Sequence, residues 1–109
     1  MIESILGSVN CERVLVYLVA RNEGYAREIT RFFDTSLVPV QKQLEKLEDG
    51  GVLFSKLVGR TRIFAFDPRY PFLQELKRLL EKVLSFYPEE MREELLMNRR
   101  RPRRPGKPL

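Results

Sequence analysis

The stretch Gly24-Tyr25-Ala26-Arg27-Glu28-Ile29-Thr30-Arg31-Phe32-Phe33-Asp34-Thr35-Ser36-Leu37-Val38-Pro39-Val40-Gln41-Lys42-Gln43-Leu44-Glu45-Lys46-Leu47-Glu48-Asp49-Gly50-Gly51 holds two amphipathic segments around one polar turn. Tyr25, Ile29, Phe32 and Phe33 fall at i, i+4, i+7 and i+8, the spacing of one helical face, and leave Arg27, Glu28 and Arg31 outside. Asp34-Thr35-Ser36 is the turn, and Ser36 is the natural cap of the next helix. There Leu37, Val40, Leu44 and Leu47 face the core. Pro39 falls three residues past that cap, where its missing N–H is one of the donors a helix start leaves unpaired anyway. Asp49-Gly50-Gly51 ends the segment.

Working outward, Val52 to Val58 and Arg62 to Phe66 are rich in β-branched and aromatic residues and flank Gly59-Arg60-Thr61, which predicts a hairpin. Alternation puts Phe64 and Phe66 on one face and Ile63 and Ala65 on the other. Lys56, Arg60 and Arg62 crowd the tip, and no acid lies between Asp49 and Asp67. On the N-terminal side, Ser8 or Asn10 can cap a helix running to about Arg21, apolar nearly all round and therefore central. On the C-terminal side, Pro68 and Pro71 mark the entry to a helix over roughly residues 70–87, and Pro88 opens a shorter one through about Met97. The long helix carries two seams, Leu73, Leu76, Leu80, Val83 and Tyr87, and Phe72, Leu76, Leu79, Val83 and Phe86. So wide an apolar arc predicts a second chain packed on it, with one broad intramolecular face as the alternative.

Composition narrows the chemistry. At 109 residues and 43% hydrophobic positions the chain suits one core that folds without metal or disulfide. The absence of histidine removes the Ser/His/Asp and Cys/His nucleophile arrangements and nearly every imidazole zinc site. The lone Cys11 cannot form an internal disulfide and points to a reducing compartment. Near the start of an apolar helix it is expected to be buried rather than to act as a redox switch. The longest apolar run, Val14 to Ala20, is seven residues, against roughly 20 needed to span a bilayer. Glu3 also stands where a secretory signal carries basic residues, so a cytoplasmic protein with no membrane contact is expected.

The charge is unevenly placed. Residues 1–98 hold 14 Lys+Arg and 15 Asp+Glu, a net of −1, whereas residues 99–109 add Arg99, Arg100, Arg101, Arg103, Arg104 and Lys107 without an acid. This proline-broken basic block predicts a disordered tail whose partner is a polyanion, or else a merely solubilising terminus.

Two helices joined by a short turn, then a hairpin, resemble the winged helix-turn-helix of ArsR-like and MarR-like bacterial and archaeal regulators. The resemblance rests on residues 24–29, 36–53 and the tip Val58-Gly59-Arg60-Thr61-Arg62. The sequel Asp67-Pro68-Arg69-Tyr70-Pro71-Phe72-Leu73 is similar to winged domains found in front of nucleotidyltransferase domains, without the catalytic domain. The fold class expected is therefore mainly α with a β-hairpin wing (α+β). Residues 1–67 form the winged domain, residues 68–98 helices that dimerise, and residues 99–109 the tail.

The function the resemblance implies is sequence-specific binding of double-stranded DNA by a homodimeric transcriptional regulator, expected to repress, with no enzymatic activity and no cofactor. Its third helix would enter the major groove with the wing beside it. The residues implied for DNA contact are Thr35, Ser36, Val38, Pro39, Gln41, Lys42, Lys56, Arg60, Thr61 and Arg62, with the tail arginines 99, 100, 101, 103 and 104. Those expected at the dimer interface are Phe72, Leu73, Leu76, Leu79, Leu80, Val83, Phe86 and Tyr87. Gln41 suits adenine, Lys42 guanine or phosphate, and Val38 and Pro39 thymine methyls. Unlike metal-sensing relatives, the chain has no cysteine pair or histidine and acid cluster to bind metal. A protein-docking module without DNA binding is the alternative.

Overall fold

The computed structural model describes residues 1–97. Its elements are α1 (Glu3–Leu6), α2 (Val9–Arg21), β1 (Glu23–Gly24), α3 (Ala26–Phe33), α4 (Leu37–Asp49), β2 (Leu53–Val58), β3 (Thr61–Phe66), α5 (Leu73–Ser85) and α6 (Glu89–Met97). The strands form one antiparallel sheet in the order β1-β3-β2. This mixed α+β arrangement is compatible with a winged helix.

α2 is the axis of the core. Ser8 Oγ accepts from the Cys11 N–H at 2.9 Å and starts the helix, so Ser8 and not Asn10 is the cap. From Val14 to Ala20 every residue is buried, as is Cys11. Around α2 pack Ile29 of α3, Val40 and Leu44 of α4, Leu53, Phe64 and Phe66 of the hairpin, Leu73, Leu80, Val83 and Leu84 of α5 and Leu95 of α6. Residues on both sides of the 67/68 boundary thus share one core. Arg21 fastens α6 to α2: it donates to Tyr17 Oη at 2.6 Å and to the carbonyls of Leu95 and Glu94 at 3.3 Å each.

The α3–α4 turn places α4 on the surface. Asp34 takes a left-handed conformation (φ 50°, ψ 56°) and the Thr35 N–H bonds the Thr30 carbonyl at 3.0 Å. Ser36 occupies the cap position of α4 with extended backbone, but its side chain makes no capping bond, contrary to expectation. At the far end Val52 N–H bonds the Leu47 carbonyl at 2.9 Å and Gly51 N–H that of Glu48 at 3.0 Å. This pair of bonds requires a left-handed residue, and Gly51 supplies it with φ +78°. The chain reverses there into β2.

In the hairpin, Leu53 pairs with Phe66 and Val58 with Thr61, leaving a two-residue tip of Gly59 and Arg60. Phe64 and Phe66 face the core as their alternation predicts. β1 is an element that residue patterning does not predict; it pairs Glu23 with Ala65 and Gly24 with Phe64.

α5 is shorter than expected at both ends. Asp67 accepts from the Arg69 N–H at 2.9 Å and Tyr70 N–H bonds the Asp67 carbonyl at 3.0 Å, so turns occupy the chain before Leu73. Phe86 and Tyr87 close the last turn by bonds to Val83 and Leu84, each 3.0 Å.

Candidate functional site

An open groove of about 430 Å³ runs between the start of α3, the outer side of α4 and the hairpin. Tyr25, Ala26 and Arg27 form one wall, Gln41, Leu44, Glu45 and Glu48 the floor, and Arg60, Thr61, Arg62 and Phe64 the other wall. Leu44 and Phe64 are also core residues, so floor and hairpin wall are anchored to the fold.

Of the residues expected to contact DNA, the structure brings Gln41, Arg60, Thr61 and Arg62 to this groove. Val38, Pro39 and Lys42 are exposed on α4, and Ser36 is exposed at its start with Thr35 half-buried beside it. Lys56 lies elsewhere. It pairs with Ile63, and since alternate residues point to opposite faces, it stands on the side of the hairpin away from Phe64 and Arg62. Arg99, Arg100, Arg101, Arg103 and Arg104 lie outside the described residues.

Arg62 is held by a chain of hydrogen bonds. Its Nη1 donates to Ser55 Oγ at 2.9 Å, and Ser55 Oγ donates to Glu48 Oε2 at 2.6 Å, which ties β3 through β2 to α4. Arg27 and Arg60 make no ion pair among the described residues. Three arginines against two glutamates leave the groove lining one positive charge in excess. Such a surface can receive a polyanion at Arg27 and Arg60 while Gln41 offers both a donor and an acceptor.

Residue patterning does not single out Arg27, Tyr25, Ser55 or Glu48. Arg27 reads only as the outer side of its own helix, and its nearness to the hairpin tip is set by tertiary packing. The run without acids from 50 to 66 does mark the hairpin as the cationic wall.

The expected interface residues divide in two. Leu73, Leu80 and Val83 are buried in the chain's own core, with Leu76 and Tyr87 packed partly against it, so these are covered without a second chain. Phe72, Leu79 and Phe86 stay exposed. Cys11 is buried, and burial raises its thiol above the ordinary value. Among the described residues no group of three or more Cys, Asp or Glu is placed to hold a metal ion, and no helix is long and apolar enough to cross a membrane.

No family model, curated protein or solved structure matches the chain.

Proposed function

We propose that this chain is a winged helix-turn-helix protein that binds double-stranded DNA and regulates transcription as a homodimer, without enzymatic activity. The observation that carries the reading is the shared groove: the exposed side of α4 and the hairpin tip open onto the same space, with Gln41 on one side and Arg60 on the other. In this reading α4 enters the major groove and the hairpin is the wing beside it. Gln41 and Lys42 meet base edges, whereas Arg60 supplies a phosphate or minor-groove contact that fixes position without reading sequence.

A second reading, a docking module for another protein, draws on the net charge of −1 over residues 1–98 and on the carboxylates of Glu45 and Glu48 in the groove, which repel phosphate. Salt separates the two. Fluorescence anisotropy with a labelled duplex is expected to show affinity falling steeply as salt rises. Arg60→Ala is expected to weaken binding to every sequence and to lower the salt slope by about one. A full chain with no measurable affinity for any duplex at low salt would leave the docking module as the function.

A further inference from the structure

α4 brings two carboxylates to the groove, Glu45 and Glu48, and their surroundings differ. Glu48 is half-buried and accepts from Ser55 Oγ at 2.6 Å, while Ser55 Oγ accepts from Arg62 Nη1 at 2.9 Å, so its charge is engaged within the fold. Glu45 is exposed, and among the described residues its side chain makes no ion pair and no hydrogen bond. On a surface that receives phosphates such a carboxylate repels every duplex alike, unless a group of the duplex donates to it.

The major-groove edge offers few donors. Guanine and thymine present acceptors only, and adenine sets the N7 acceptor beside its 6-amino group. Cytosine presents its 4-amino group with no acceptor of its own beside it. An ionised carboxylate only accepts, so cytosine is the base it fits best.

We infer that Glu45 reads cytosine, and that the preferred site of this chain holds a C·G pair close to the position read by Gln41. Gln41 precedes Glu45 by four residues and lines the same groove. That spacing is one helical turn, a rise of about 6 Å, which is less than two base-pair steps of about 3.4 Å each. The two side chains therefore address pairs no more than two steps apart, adenine through Gln41 and cytosine through Glu45. Opposite any other base Glu45 stays unpaired near acceptors and phosphates, so it discriminates by penalising wrong sites as well as by favouring the right one.

The inference rests on the reading of α4 as the base-contacting helix and adds to it the identity of a second base. Its test uses the full chain, Glu45→Ala and Glu48→Gln, in site selection from random duplexes and in fluorescence anisotropy, with circular dichroism to check that each variant is folded. The parent's site is expected to contain a C·G pair whose preference Glu45→Ala relaxes by about tenfold. The same variant is expected to bind random duplex roughly two- to fivefold more tightly, because an exposed repulsive charge is gone. Glu48→Gln keeps an acceptor for Ser55 and is expected to keep the cytosine preference. Replacing the selected cytosine by 2-pyrimidinone, which lacks the 4-amino group, is expected to weaken the parent by about tenfold and Glu45→Ala hardly at all. A cytosine preference unchanged in Glu45→Ala, lost equally in Glu48→Gln, or an equal loss from both proteins on removing the amine overturns this inference alone. A gain by Glu45→Ala of the same size on every sequence does so too, since it marks Glu45 as a solvated acid. A parent with no preferred site, or with no duplex affinity at low salt, overturns the DNA reading and this inference with it.

Discussion

Tyr87→Phe removes one hydroxyl from the contact between α2 and the end of α5. Glu12 of α2 is 5% exposed. One of its oxygens accepts from the Ile2 N–H at 2.6 Å and from the Met1 amine at 2.9 Å, and the other accepts from the Tyr87 hydroxyl at 3.1 Å. Phenylalanine keeps the ring that packs partly against the core, so the substitution isolates that bond. Leaving a buried carboxylate short of a donor costs about 1–3 kcal/mol. For a domain of this size that lowers Tm by at least roughly 4 °C. Urea unfolding followed by circular dichroism gives the cost directly, and the same substitution in a Glu12→Gln background is expected to cost less. The Tyr87 hydroxyl is pushed above the ordinary tyrosine value of 10.0, first by burial and then by the Glu12 charge. The stability this contributes is therefore complete below pH 10 and drains away as pH rises toward the native value, so Tyr87→Phe flattens the alkaline limb. A cost below about 0.5 kcal/mol, or an equal cost in both backgrounds, refutes the claim that Tyr87 supports the buried carboxylate.

Three further outcomes follow from the packing. Leu80 is fully buried between α5 and α2, so Leu80→Ala is expected to cost about 2–5 kcal/mol in chemical unfolding, while the neighbouring Leu79→Ala costs far less in the monomer. The Arg69 side chain and then its N–H hold the Asp67 carboxyl below its ordinary value of 3.8. Its contribution is therefore present above pH 3.8 and lost as pH falls below it, and acid titration of Asp67→Asn is expected to show a shallower acid limb. Burial raises the Cys11 thiol, so an Ellman assay is expected to show slow reaction in the native protein and rapid reaction in denaturant. Immediate native reaction would contradict that.

The main helices and the hairpin could be read from local pattern because each has enough residues to show a period. In α2 the run Val14 to Ala20 is apolar on all sides and does lie at the centre. β1 escaped because Glu23–Gly24 has no period to read and exists only through pairing with Phe64 and Ala65, some forty residues on. The start of α5 moved because Asp67 and Arg69 bond each other across a turn. For the site, patterning identified the exposed side of α4 and the charged hairpin tip. It did not find Arg27 or the Arg62–Ser55–Glu48 chain, because these depend on which elements meet. Nor did the two seams of α5 reveal which one the core absorbs: Leu80 is inside, whereas Phe72 and Phe86 are outside.

In the proposed function α4 reads base sequence. Selection of bound sites from a pool of random duplexes, run in parallel with the full chain and with Gln41→Ala, tests it most directly. A distinct preferred site is expected for the parent. Gln41→Ala is expected to relax preference at one position and to lose roughly 1–3 kcal/mol on that site, with little change on random DNA. Recovery of the same preferred site with the same discrimination by Gln41→Ala, or of no preferred site by the parent, would contradict it.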